Sequence, residues 1–232
     1  MTTEGDCPAC GKHFKNLERH KCKATAPKKA KEAKTEKKVK APVENTLVPS
    51  DDYLSSGVHI GTKNKSKLMS DYIYKIRSDG LAIFDVQKID ERLRTIGQYL
   101  AKFKPEEILI VCKRDNGAKP LKMLSLATGI ITLTGRYLPG TLTNPNNDYF
   151  MEPRVVMLTD AWYDKQALID ATKSGAVIIS LCNSNSNLTN IDVALPCNNR
   201  GHKSLALIYW IIAREYALAN KMKFEFEKEK FV

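Results

Sequence analysis

Long hydrophobic runs are missing from this sequence, and no stretch approaches the roughly 18 apolar residues that a membrane span requires. No charged start followed by an apolar stretch marks a secretory signal, so the chain is expected to be soluble and to stay inside the cell. Glycine is sparse where nucleotide chemistry would need it. A dinucleotide site calls for G-x-G-x-x-G after a strand, yet Gly57-Val58-His59-Ile60-Gly61 has the wrong spacing and no strand before it. The loop at 198–204 follows a strand and opens a helix, as a phosphate loop does. There, however, His202 separates Gly201 from Lys203, and Pro196 stands where the first glycine belongs. Histidine is scarcer still: of 4, only His59 and His202 fall in the globular part, and neither sits in a recognisable Ser or Cys nucleophile motif. Together these absences speak against an enzyme and against a small-molecule substrate.

Positive charge, by contrast, is abundant. Lys and Arg number 37 against 26 Asp and Glu, a formal net charge of +11. Such an excess attracts polyanions and speeds association with them, although it also serves plain solubility. The excess is concentrated: residues 1–50 carry 12 basic against 6 acidic side chains.

Three segments follow from composition. Residues 1–22 are rich in Cys and His. Residues 23–46 (KATAPKKAKEAKTEKKVKAPVEN and flanks) hold almost no large apolar side chain, too few to offset the entropy of ordering, and are expected to be a flexible basic linker. Residues 47–232 are globular in pattern. There Ser50-Asp51-Asp52 opens a short helix ending at Gly57. Residues 72–77 and 81–85 flank Ser78-Asp79-Gly80, a hairpin with an Asp-Gly turn. Leu93, Ile96, Leu100 and Phe103 form a helical stripe over 90–103. Apolar strands are predicted at 108–112, 130–133, 155–159, 177–182 and 193–195, and helices at 117–127, 164–173 and 202–220. Continuous apolar strands separated by amphipathic helices predict an α/β fold with a doubly wound, mostly parallel sheet flanked by helices, Rossmann-like or flavodoxin-like. Cys112, Cys182 and Cys197 lie in or beside these runs, and are expected to be structural thiols.

Basic residues cluster at or just beyond the strand ends. Lys63, Lys65 and Lys67 share a loop with Asn64 and Ser66; Lys113 and Arg114 follow one strand, and Arg136, beside Tyr137, another. Arg200, His202 and Lys203 surround the start of the last helix, whose free N–H groups and dipole suit a phosphate. Asn198 and Asn199 are equally readable as residues that merely cap and turn the chain. Each cation alone is as well explained as a solvated surface charge, but together they form one candidate RNA face, because phosphate contacts position a protein without reading sequence.

Residues 51–62 (DDYLSSGVHIGT) resemble the opening signature of the ribosomal protein S2 family. The resemblance resumes in Thr159-Asp160-Ala161, Lys165-Gln166-Ala167, residues 178–183, Asn185-Ser186 and the run Ile191-Asp192-Val193-Ala194-Leu195-Pro196-Cys197-Asn198-Asn199-Arg200-Gly201. It continues into the helix with Trp210-Ile211-Ile212-Ala213-Arg214-Glu215, and covers about residues 47–223. No heptad-rich insertion of the kind the bacterial form carries appears, so the archaeal and eukaryotic branch is the nearer one. The resemblance implies a non-catalytic, cytoplasmic, ribosome-associated protein of the small subunit. It would lie between head and body against ribosomal RNA and neighbouring ribosomal proteins. An alternative from another class is a zinc-dependent nucleic-acid-binding regulator acting off the ribosome.

The N-terminal segment stands apart from that resemblance. Cys7-Pro8-Ala9-Cys10 is a C-x₂-C pair, a spacing that lets two thiolates take adjacent corners of a tetrahedron. His20 and Cys22 complete a set of four, while Phe14 and Leu17 supply a miniature core. One structural Zn²⁺ is expected to fold the segment, which is too short to bury enough surface unaided. The single residue between His20 and Cys22 departs from common fingers, and His13 is an alternative ligand.

Overall fold

The computed structural model describes residues 46–224 and 226–232, together with two short strands nearer the N-terminus, β1 (Gly5–Asp6) and β2 (His13–Phe14). The chain divides into two units, Met1–Val43 and Glu44–Val232. In the first, β1 and β2 pair antiparallel, Gly5 opposite Phe14 and Asp6 opposite His13. Cys7, Cys10, His20 and Cys22 lie outside the described residues.

The second unit runs α1 (Ser50–Ser56), β3 (Ile73–Ile76), β4 (Ala82–Phe84), α2 (Val86–Leu100), β5 (Ile108–Cys112), α3 (Asp115–Thr128), β6 (Ile131–Thr134), β7 (Val155–Leu158), α4 (Lys165–Ser174), β8 (Val177–Cys182), β9 (Val193–Pro196), α5 (His202–Ala219) and α6 (Lys228–Phe231). Five strands make one parallel sheet in the order β6-β5-β7-β8-β9. Counted within the sheet this is the flavodoxin order, and the direction of winding switches between β5 and β7.

The unbroken apolar strands explain the layers. In β5 all five residues are buried, with Ile108, Ile110 and Cys112 in one core and Leu109 and Val111 in the other. Alternation has period two in any strand, so a strand apolar at every position must be covered on both faces. The larger core takes Ile89, Leu93, Ile96 and Leu100 of α2, Leu121 and Leu124 of α3, and Leu205, Ile208 and Ile212 of α5. The smaller one takes Ala167 and Ala171 of α4 with Tyr137 and Leu142 from the long β6–β7 connection.

Elements begin and end where capping chemistry allows. The stripe predicted for 90–103 is a helix over Val86–Leu100, because the side chain of Asp85 accepts from the Gln87 N–H at 3.1 Å and starts the helix earlier. Gly57 ends α1 at φ +70, and Gly80 takes φ +81 in the β3–β4 turn, conformations that other residues adopt only at a cost. No helix among the described residues is long and apolar enough to cross a membrane.

Candidate nucleic-acid interface

Parallel pairing gives all five strands one carboxyl-terminal edge, and the cations picked out in the sequence follow those ends. Lys113 and Arg114 follow β5, Arg136 follows β6, and Arg200, His202 and Lys203 follow β9 into α5. The lysine loop joins them through Ser184, just beyond β8. Its Oγ accepts from Thr62 N–H at 2.9 Å and donates to Asn64 O at 3.0 Å, while the Ser66 N–H donates to Ser184 O at 2.7 Å. A Cβ on Gly61 would stand 3.0 Å from Ala82 O and 3.2 Å from the Ser184 Oγ, so this approach needs glycine. Lys63, Lys65 and Lys67 stay exposed around it.

The asparagine pair knits the strand ends. Asn199 is 1% exposed; its Nδ2 donates to Thr159 O at 3.3 Å and Leu181 O at 3.4 Å, and its Oδ1 accepts from Asn183 Nδ2 at 3.3 Å. The Asn198 Oδ1 accepts from the N–H groups of Arg200 and Gly201, and its Nδ2 donates to Gly57 O at 3.1 Å. The turning reading fits Asn198, which bends the chain ahead of α5; Asn199 instead reaches across to the ends of β7 and β8.

Arg114 differs from the other cations. Its Nη2 pairs with Asp160 Oδ2 at 2.5 Å, its guanidinium lies 4.1 Å from the centre of the Tyr163 ring, and its side chain is only 16% exposed. It anchors the β5 and β7 ends to each other, whereas the neighbouring Lys113 is exposed, with Nζ 5.8 Å from the same ring. Lys203 also lines a second hollow, together with Asp52, Ser55, Ser56 and Lys228.

A cavity of about 230 Å³ opens beside the switch point, lined by Lys113, Arg136, Tyr137, Tyr163, Asp164 and Gln166 among others. Asp164 is 3% exposed; its Oδ1 accepts from the Lys113 N–H at 3.2 Å, and its Oδ2 has no partner. Burial pushes its carboxyl up to about 7, and the charge of Asp160 adds to this, against lowering by backbone N–H groups and Lys113. Asp160, Trp162, Tyr163 and Asp164 were not singled out from the sequence as site residues. The signal was a Trp-Tyr pair set between two aspartates in the loop after β7.

The thiols show no activation. Cys112, Cys182 and Cys197 are buried, and burial raises all three, Cys182 to about 12. Among the described residues no group of three or more His, Cys, Asp or Glu side chains is set to hold a metal.

Fold and edge together define a flavodoxin-like α/β protein with basic side chains at the strand ends and thiols that burial keeps protonated. Comparison with known proteins gives the lineage. A family model described as Ribosomal protein S2 matches residues 53–148 and 147–218, and the chain belongs to that family. It is 52% identical over 172 residues to the small ribosomal subunit protein uS2 of Nanoarchaeum equitans, covering 74% of this chain and 86% of that one. To the protein of the same name from Korarchaeum cryptofilum it is 47% identical over 183 residues, covering 78% and 84%.

Proposed function

We propose that this chain is a structural, non-catalytic constituent of the small ribosomal subunit. It holds ribosomal RNA against the carboxyl-terminal edge of its sheet, works on the ribosome in the cytoplasm, and meets neighbouring ribosomal proteins between head and body. The observation that carries this is the convergence of separately encoded cations on one sheet edge in a chain of the S2 family. Lys63, Lys65, Lys67, Lys113, Arg136, Arg200, His202 and Lys203 are the proposed phosphate contacts. Arg114 acts behind them by fixing the loop geometry through Asp160. Folded RNA is met mainly through shape and backbone, which suits a rim of cations on a rigid sheet. The test is binding of the purified chain to small-subunit RNA across a salt series: affinity should fall steeply as salt rises, and a flat response would refute an electrostatic rim.

The N-terminal unit is proposed to be a zinc module over residues 1–22, joined by the basic linker 23–46 to the α/β body at 47–232. One structural Zn²⁺ would be held by Cys7, Cys10, His20 and Cys22, with His13 as the alternative nitrogen ligand. Two features support this reading. The donor set is soft thiolate plus imidazole, suited to zinc, and the Cys7–Cys10 pair falls in the connection between antiparallel β1 and β2. Metal analysis of the Cys7→Ser protein should find the zinc lost; unchanged zinc content would remove the site.

A further inference from the structure

We propose that β6, an outer strand of the parallel sheet, is a docking edge on which an extended segment of a neighbouring ribosomal protein adds a sixth strand. This rests on the ribosomal reading above and names the surface by which one neighbour is held.

The first argument is where the backbone hydrogen bonds go. β6 pairs with β5 alone, in register from Leu109 opposite Ile131 to Cys112 opposite Thr134. The Gly135 N–H donates to Cys112 O at 2.8 Å, and the Thr159 N–H to Val111 O at 3.1 Å. Both backbone groups of a strand residue leave on one side, and the side alternates along a parallel ladder. Ile110 and Cys112 therefore face β6, Leu109 and Val111 face β7, and on β6 it is Ile131 and Leu133 that face β5. Thr132 and Thr134 are left with N–H and C=O groups on the open side, where nothing bonds them among the described residues. All four residues of β6 are partly exposed.

Other edges of the molecule are guarded in the usual ways, by proline, lysine, a bulge or a covering segment. By the same alternation Pro196 of β9, the opposite outer strand, faces its open side and offers no N–H there. Just beyond it the Asn198 N–H is already taken by Val58 O at 2.9 Å. β3 exposes Lys75, and its register slips between Ile73 and Lys75. β6 has none of these guards: Ile131-Thr132-Leu133-Thr134 is β-branched or apolar throughout, a composition that favours pairing.

The edge also selects its occupant. Donors and acceptors alternating at strand spacing are met by another extended polypeptide, which supplies both. RNA fits poorly, because residues 129–135 carry no cation to meet a phosphate. Charged side chains in an added strand would lose hydration unpaired beside this stretch, so the matching segment is uncharged and rich in β-branched residues. A second copy of this chain is opposed by repulsion between two chains of formal charge +11.

The test compares amide hydrogen exchange in the full chain when free, when bound to naked small-subunit RNA, and when assembled in small subunits. The Thr132 and Thr134 amides should exchange at least about tenfold more slowly in subunits than in either other state. Exchange as fast in subunits as in the free chain overturns the docking edge and leaves the RNA reading standing. Equal slowing on naked RNA also overturns it, the occupant then being RNA. Slowing in the free chain that grows with concentration, alongside a dimer in sedimentation, overturns it in favour of self-pairing. Thr132→Pro removes one outward N–H and no bond to β5, so it should bind naked RNA within about twofold of the parent. Small subunits should nevertheless release it at lower salt. Where that variant does not fold, Thr134→Lys, which guards the edge and keeps the backbone, should give the same split. Release of the folded variants at the parent's salt concentration overturns the docking edge. A parent chain that binds neither small-subunit RNA nor small subunits overturns both readings.

Discussion

Asp164 carries a burden that can be measured without any ligand. A carboxyl that burial holds near 7 keeps a proton that the unfolded chain releases around its ordinary value, near 4. Its contribution is neutral below about pH 4, grows destabilising as pH climbs, and is complete above about pH 7. Asp164→Asn should therefore unfold at a higher temperature than the parent at about pH 8, with the difference vanishing near pH 4. A difference that ignores pH would mean the carboxyl is not burdened. Asn199 is the opposite case, a polar side chain whose bonds hold three strand ends. Asn199→Ala leaves the amide of Asn183 and the carbonyls of Thr159 and Leu181 short of partners, and should cost about 1–3 kcal/mol in chemical denaturation. What the sequence tells of such residues depends on range. Asn198 reads as a turn residue because its partners at 200 and 201 are adjacent, whereas the partners of Asn199, at 159, 181 and 183, are too distant to be legible. Arg114 reads as one more free cation because Asp160, which claims it, lies 46 residues further on.

Among the elements, the loop between α1 and β3 shows how local chemistry is placed by distant chain. Its lysines are exposed, but its backbone is tied to Ser184, 122 residues away from Thr62. Charge reversal of Lys63, Lys65 and Lys67 together should leave the fold intact and weaken incorporation into small subunits. It should also flatten the salt dependence of RNA binding by about two ions' worth. Incorporation equal to the parent's would remove this loop from the RNA face. Strands and helices themselves were legible because periods of two and 3.6 are local properties. Strands at 108–112 and 177–182 match the sequence reading residue for residue. The start of α2 slips by four residues because Asp85, read as the end of a strand, is its cap. Which helix covers which sheet face was not legible, since both kinds of covered strand carry the same apolar run.

For the molecule as a whole, the sheet order sets which loops share an edge. Order β6-β5-β7-β8-β9 with every strand parallel brings loops from five separate places in the sequence to one edge, and only then do scattered cations become a rim. Composition foretold a polyanion partner, but could not say that the lysine loop and the α5 entrance would share an edge. The most direct measurement is co-sedimentation of the tagged full chain with small subunits through gradients at high magnesium. The expected result is stoichiometric association that rising monovalent salt releases. A chain that stays at the top of the gradient, or that turns over a small metabolite, contradicts a docking protein gripping ribosomal RNA.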